Sequence, residues 1–535
     1  MAWAYATIGK PHAALFEAMG DQIVASNLLK EFRPQALSNT VWANATVDVP
    51  HAKLFEEKVA NLIVQSKSLA RFNSQDLSNI VWAYAAAQFP HPKMFRAMGD
   101  QVVAFKHLNE FKPQNLSNTV WAYATAGTPH PRLLEKVANH IVSLDSLDRF
   151  KPQELSNTLW AYATADMHHP QLFEKVANHI AESDSLDRSD PQALSNIVWA
   201  YATAGINHPR LFEKVANHIA ESDGLGRFNS QNLSNTVWAY ATANVRHPKL
   251  FEKVANHIAG LDNLDRFNPQ NLSNLVWAYA TARVHHPELF QRVAEAAIQR
   301  KTEFSKSQAV ANLLWSYSTM GITDKQLCLA FVPTAANLID SCNNQDLANI
   351  AWSYAVADVD AAPLFNVHFI NKCVEKEDGF EIEHYTQLHQ WHLWQANEIS
   401  PPGPGLPIDL QERCYNVFVS EEPRVSKFQG DVVAQLSSIG LDPKEEVLLD
   451  SGYRIDALVE MNGKQVCIEV DGPHHFIGES RSPLARTILK RRQVPLIDGI
   501  ELVPVPYWKW DEVGKDEVKK QEYLRNILSV KSNNA

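Results

Sequence analysis

The chain has 535 residues, 45% hydrophobic and 20% charged, a balance that supports packed cores along its length and excludes a wholly disordered polyelectrolyte. Residues 1–397 carry 32 Lys+Arg against 38 Asp+Glu, and residues 398–535 carry 17 against 22. The formal net charge of −11 therefore excludes a generic polyphosphate binder, and any nucleic acid must be met by a local surface. No run approaches the roughly 18 apolar residues of a membrane helix, so no membrane partner is expected.

Met1-Ala2-Trp3-Ala4-Tyr5 begins in the middle of a repeat unit, so the natural start and any targeting segment are expected to be missing. Tryptophan then recurs at Trp3, Trp42, Trp82, Trp121, Trp160, Trp199, Trp238, Trp277, Trp315 and Trp352, in steps of 37–40 residues. The period predicts an α-solenoid of αα-hairpins over residues 1–360, about ten units with the first truncated. In one unit, Pro152 opens a first helix, helix A, with Leu155, Leu159 and Tyr162 at helical spacing. Pro170 opens a second, helix B, with Leu172, Phe173, Val176 and Ile180 on its apolar face. The tryptophans sit beside the apolar stripe and are expected to pack between units; stacking on bases is the alternative.

Two amides recur with the tryptophan. Gln stands seven residues before it, and Asn stands three before it at Asn39, Asn79, Asn118, Asn157, Asn196, Asn235, Asn274, Asn312 and Asn349. Four residues apart, the two share one helix face. They form either a buried amide ladder between adjacent helices A or a row of amides facing bases. The residue after the Gln varies, with Asn115, Glu154 and Asn232 among its polar forms. That slot is either a modular reader of one base per unit or a drifting solvent position. His140, His179, His218 and His257 also recur, but one per helix B is too widely spaced to share a metal ion. In period, helix pairing and its Leu-x-x-x-x-Trp-Ala core, the array resembles the octotricopeptide repeats of organellar RNA-processing factors and the similar repeats of the FAST kinase family. No Gly-rich phosphate loop is present, so kinase activity is not expected.

Residues 361–397 leave the repeat pattern and are expected to cap it with helices. Residues 398–429, opening with Ser400-Pro401-Pro402-Gly403-Pro404, read as a Pro-rich linker and lead-in to a small α/β domain over 430–535, with its core at 447–528. A short helix is expected over Val432–Ile439. Strands are expected at Val447–Leu449, Tyr453–Met461 and Lys464–Val470, the last two joined by a turn at Asn462-Gly463. That turn pairs Met461 with Lys464, which sets Asp456 opposite Glu469 and Arg454 opposite Asp471. Ile455, Ala457, Val459, Val466, Ile468 and Val470 would then face a core, with the charged residues on the other side. Carboxylates gathered on adjacent strands repel, and either a divalent metal at Asp456 and Glu469 or an Arg454–Asp471 ion pair would relieve them.

Ile455-Asp456-Ala457, the run Cys467 to Phe476, Thr487 to Arg492, Val503 to Trp510 and Glu522-Tyr523-Leu524 resemble a RAP domain over about 447–528. RAP domains are similar to the PD-(D/E)XK restriction-endonuclease-like fold. The resemblance implies RNA binding and control of organellar RNA processing, stability or translation, in a mitochondrion or plastid. It also implies candidate catalytic residues Asp456, Glu469, Asp471 and Lys490, although Asp471 stands where that pattern has Lys. Arg454, His474, His475, Arg486, Lys490, Arg491, Arg492 and Trp508 are candidate RNA contacts. Three functions follow: a single-stranded RNA binder that clamps RNA or recruits RNA-processing proteins, a Mg²⁺- or Mn²⁺-dependent endoribonuclease, or a protein-binding scaffold. The first requires no cofactor.

Overall fold

A computed structural model describes residues 2–532 except 10, 11, 27, 28, 30, 67, 223, 421–424 and 479. The chain forms two compact units, residues 1–254 and 255–535. Among the described residues no helix is long and apolar enough to cross a membrane.

The first unit is a series of helical hairpins. Helices A are Pro34–Thr46, Ser74–Ala86, Pro113–Thr125, Pro152–Thr164, Pro191–Thr203 and Ser230–Thr242, and consecutive ones lie side by side. Helices B include Pro92–Ala104, Pro131–Ser143, Pro170–Glu182 and Pro209–Glu221. Each of these four helices B starts at a proline preceded by an N-cap histidine, whose Nδ1 accepts the N–H two residues beyond that proline, as His169 does from Leu172. Each helix A ends in a residue of positive φ (Asp48, Gln88, Gly127, Asp166, Gly205 and Asn244). The next N–H reaches back to the repeat's tyrosine or its Asn44 equivalent, as Met167 does to the Tyr162 carbonyl at 2.9 Å, the terminating geometry of a Schellman motif.

Two interactions recur between hairpins. On five of these six helices A a buried tyrosine, replaced by Asn44 on Pro34–Thr46, donates its hydroxyl to a carbonyl of the preceding helix B: Tyr84 to Phe55 at 2.7 Å, Tyr123 to Phe95 at 2.7 Å, Tyr162 to Leu134 at 2.5 Å, Tyr201 to Phe173 at 2.5 Å and Tyr240 to Phe212 at 2.6 Å. On four helices B, the last of them Pro248–Ala259, a lysine donates to carbonyls at the C-terminal end of the preceding helix B, whereas Pro92–Ala104 has Ala97 at that position. Lys136 reaches Val103 at 2.6 Å, Lys175 reaches Val142 at 2.8 Å, Lys214 reaches Ser183 at 2.7 Å and Lys253 reaches Ala220 at 2.8 Å. A cation there also complements the helix dipole.

The second unit continues with the repeat helices Pro269–Ala282, Pro287–Gln299, Ser307–Thr319, Lys325–Leu338 and Asn344–Ala357, capped by Val367–Glu375 and Ile382–Asn397. The 398–429 segment is not a linker throughout: it holds the helix Ile408–Val419, packed on Ile382–Asn397. The α/β domain opens with Lys427–Ser438, which starts earlier than expected because Ser426 caps it through the Gln429 N–H. Its sheet has the order β1 (Lys444–Leu448), β2 (Arg454–Met461), β3 (Lys464–Asp471), β4 (Glu501–Pro506); β1–β2 and β2–β3 are antiparallel and β3–β4 parallel.

The hairpin register holds from Met461↔Lys464 to Ala457↔Ile468. Ala457, Val459, Val466, Ile468 and Val470 join Val432, Leu436, Trp510 and Leu524 in one core. Ile455 departs from the expected face and packs with Tyr453, Leu458, Cys467 and Val494 on the other. The alternation breaks at Asp456, which sits between the β1–β2 pairs flanking Glu446, a residue with φ 52°. Tyr507, Trp508 and Trp510 do not end a strand but begin the helix Tyr507–Val513. The five cysteines are free and buried.

Replacing Tyr201 by Phe removes one buried hydrogen bond at constant shape. The expected result is a loss of about 1 kcal/mol in the first unit, read as a lower urea midpoint; no change would show that the tyrosine tie contributes nothing.

Candidate nucleic-acid interface

A single stripe of side chains lines the outward face of the first unit's helices A. The glutamines Gln35, Gln75, Gln114, Gln153, Gln192 and Gln231 are exposed, and the asparagines and tryptophans that follow them are half-buried. The stripe from Gln to Trp spans seven residues, about 10 Å along the helix axis. From unit to unit the indoles stand against one another. Ring centroids are 6.5 Å apart for Trp42–Trp82, Trp82–Trp121 and Trp121–Trp160, 6.4 Å for Trp160–Trp199 and 6.3 Å for Trp199–Trp238. The tryptophans therefore do pack between units, but as a surface row rather than within the core.

No buried amide ladder forms here. Asn118, Asn157, Asn196 and Asn235 are half-exposed, and no side-chain hydrogen bond ties them to a described residue. In the second unit Asn274 accepts from Gln270 at 2.8 Å. Only at the last repeat is the stripe covered. There Asn349 is buried and accepts from Gln387 at 3.0 Å, while the Trp352 indole donates to Gln390 at 2.8 Å, both from the capping helix Ile382–Asn397.

The variable slot after the glutamine is corrected. Asn115 and Asn232 are buried at the third position of their helices, where Asn115 accepts the Lys112 N–H at 3.1 Å and Asn232 completes a capping box with Asn229. Each also donates to a serine of the preceding helix A, Asn115 to Ser78 and Asn232 to Ser195, at 3.3 Å. Glu154 is half-buried and accepts the Lys151 N–H at 2.8 Å. These side chains close helix starts and, for the two asparagines, join adjacent helices A, a structural role in place of base reading.

In the α/β domain the sheet gathers the predicted carboxylates and supplies each with a protein donor. Asp456 accepts the Val470 N–H at 2.6 Å, replacing the next rung of the β2–β3 ladder. Glu469 lies 2.6 Å from Lys490 and 3.7 Å from the Cys467 thiol. Asp471 lies 2.5 Å from Arg491 and 3.1 Å from His475. The expected Arg454–Asp471 pair does not form, because Arg454 donates to the Glu446 carbonyl at 3.0 Å.

Burial pushes the Glu469 carboxyl up to about 7 against the pull of Lys490. Burial also raises Asp456 above its ordinary range, again against Lys490. Burial would raise Asp471 too, but His475 and Arg491 outweigh it and hold that carboxylate low. Among the described residues no group of three His, Cys, Asp or Glu side chains is placed to hold a metal ion. The three carboxylates are already matched by cations and N–H donors, so the arrangement does not fit the divalent metal expected at Asp456 and Glu469.

Residues 26–257, 181–368 and 226–439 match the family described as RNA-editing substrate-binding complex 6 protein. The chain belongs to that family. Residues 468–527 match the RAP domain. A similar protein is the RAP domain-containing protein, chloroplastic, of Oryza sativa subsp. japonica, 28% identical over 191 residues, which cover 34% of this chain and 29% of that protein. The chain thus matches under a third of that relative's length.

The basic helix of the RAP domain, Ala485–Ile497, divides its cations among three tasks. Lys490 and Arg491 hold the sheet carboxylates as above. Arg492 is not a phosphate contact. Its guanidinium donates to the Val356 carbonyl at 3.1 Å and to the Ala355 carbonyl, capping the end of Asn344–Ala357, and lies 2.5 Å from Glu398. Arg486 is exposed, as is His474; His475 is half-buried on Asp471. Trp508 is half-buried against Phe476, centroids 4.4 Å apart, with Arg481 5.4 Å over its ring. Of the expected RNA contacts on this side, His474 and Arg486 are thus exposed, and Arg481, over the Trp508 ring, also lies 4.0 Å from Glu512.

Sequence reasoning missed a buried network that joins the RAP domain to the capping helix Ile382–Asn397. The Tyr453 hydroxyl donates to Gln493 at 2.8 Å and accepts from Gln390 at 3.1 Å; Gln493 donates to Glu398 at 3.0 Å. His389, pushed down to about 4 by burial, meets the Ser451 carbonyl at 2.9 Å. Gly321 (φ 60°) lies so close that an added Cβ would stand 2.7 Å from the Pro483 carbonyl. The only sequence signal was the unusual density of amides and aromatics over residues 387–394.

Lys490→Met should destabilise the second unit by about 3–5 kcal/mol by stranding a buried carboxylate, and Lys490→Met with Glu469→Leu should recover most of that loss. Between pH 4.5 and 7 the folded state holds a proton at Glu469 that the unfolded chain has released, so stability should fall as pH rises through that window. Glu469→Gln should flatten this part of the profile. Asp471 acts below 3.8, outside the window. A denaturation series in pH checks both statements; an unchanged slope in the Gln variant would contradict the second.

Proposed function

We propose that this chain binds single-stranded RNA in an organelle, plastid or mitochondrion, and acts there in RNA processing, stability or translation. The repeats read the strand through the Gln–Asn–Trp stripe, and the RAP domain holds RNA or recruits a processing protein. The observation that carries this reading is the row of half-exposed indoles with half-exposed, unbonded asparagines beside them, repeated once per helix A of the first unit. Aromatic faces stack on any base, and amides recognise base edges by hydrogen bonding. A folded protein leaves such groups at its surface without local cost only when solvent or a ligand satisfies them. The family's printed description, which concerns RNA-editing substrate binding, supports RNA as the ligand, and the chloroplastic relative supports an organelle.

An endoribonuclease reading has less support, because Asp456, Glu469 and Asp471 are each engaged by a protein donor. Selection from a random RNA pool at near-physiological salt should enrich a motif. Asn157→Ala with Asn196→Ala should then weaken binding roughly thirtyfold, the effect of two hydrogen bonds of about 1 kcal/mol each. Wild-type stability is expected in that variant, and unchanged affinity in it would contradict the proposal.

A further inference from the structure

The first unit sorts its cations into two populations. The recurrent lysines of helix B, Lys136, Lys175, Lys214 and Lys253, are engaged with backbone carbonyls of the preceding hairpin. A second recurrent cation stands eleven residues before the tryptophan, at Arg71, Arg149, Arg188 and Arg227, three residues before each helix A begins. All four are exposed. Arg71 rests over the Phe72 ring at 5.5 Å, whereas Arg149, Arg188 and Arg227 make no ion pair or hydrogen bond with a described residue.

Acidic neighbours do not neutralise them. Asp148 and Asp187 immediately precede two of these arginines, yet their carboxylates lie 3.9 Å from His179 and His218 on helix B. The cation recurs in the same place relative to the stripe: next in sequence to a residue that opens onto helix A, with the exposed Gln four residues on and the Trp eleven on. A chain with a net charge of −11 nonetheless keeps an unmatched guanidinium on each of three consecutive hairpins along this edge, although the hairpins of Trp42 and Trp121 carry Glu31 and Glu110 there.

We infer that Arg149, Arg188 and Arg227 form a phosphate track along the start of the helices A, one contact per repeat, fixing where the sugar-phosphate backbone runs while the bases lie over the Gln–Asn–Trp stripe. The inference rests on the single-stranded RNA reading above. It gives the acidic array a local source of affinity for a polyanion. Guanidinium groups meet phosphate oxygens through paired N–H donors, and such contacts position a strand without selecting its sequence.

The test is the salt dependence of RNA affinity. For single strands, log K falls with log salt with a slope of about −0.7 per phosphate neutralised. In the full chain, Arg149→Ala with Arg188→Ala and Arg227→Ala should flatten the slope by about 2, weaken selected and scrambled RNAs alike, and leave thermal denaturation unchanged. The corresponding three Lys substitutions should keep most of the slope. Wild-type slope in the folded Ala variant would overturn the track while leaving the base-reading stripe in place. An absence of RNA binding by the wild-type chain would overturn both.

Discussion

A phenol hydroxyl cannot be buried without an acceptor, and each helix A from Ser74–Ala86 onward carries one. The tyrosine finds its acceptor in a carbonyl of the preceding helix B, so it fixes the rotation of helix A as well as its distance from its neighbour. The tryptophan stands two residues earlier, a rotation of about 200° around the helix. Burying Tyr162 therefore turns Trp160 outward, and Asn157 and Gln153, one and two turns back, follow it. The exposed stripe is a geometric consequence of how the core is closed.

The same rotation explains which parts of the array were legible in the sequence. Period, helix starts at Pro152 and Pro170, and the apolar stripe of Leu155, Leu159 and Tyr162 all follow from local pattern and appear in the structure. Trp160 recurs with the stripe but lies across the helix from Tyr162, so it packs on its neighbours at the surface rather than in the core. The slot of Asn115, Glu154 and Asn232 misled for another reason. Accepting the N-cap N–H requires only a side-chain oxygen, so the position varies in identity while keeping one structural job. Where Ala193 occupies it, Asp190 caps the helix alone.

In the RAP domain, the hairpin register was set by Asn462-Gly463 and could be counted from the turn. The fate of the carboxylates could not. Like charges on neighbouring strands require a counter-charge, but sequence spacing does not say whether an ion or a side chain supplies it. Here Lys490 and Arg491, from a helix some twenty residues away, do so. Arg492, next in the same run, instead turns to the end of Asn344–Ala357. Adjacent cations on one helix thus serve the sheet and the repeat interface separately, and the RAP domain is held to the capping helix Ile382–Asn397 by buried amides and a tyrosine rather than left on a tether.

The central claim is that RNA lies on the outward face of the helices A. Photocrosslinking of a bound single-stranded RNA followed by peptide mapping tests it most directly. Crosslinks on the peptides carrying Trp121, Trp160, Trp199 and Trp238 are the predicted result. Crosslinks confined to helix B peptides such as Pro170–Glu182, or to the RAP domain with none on helix A, would contradict it.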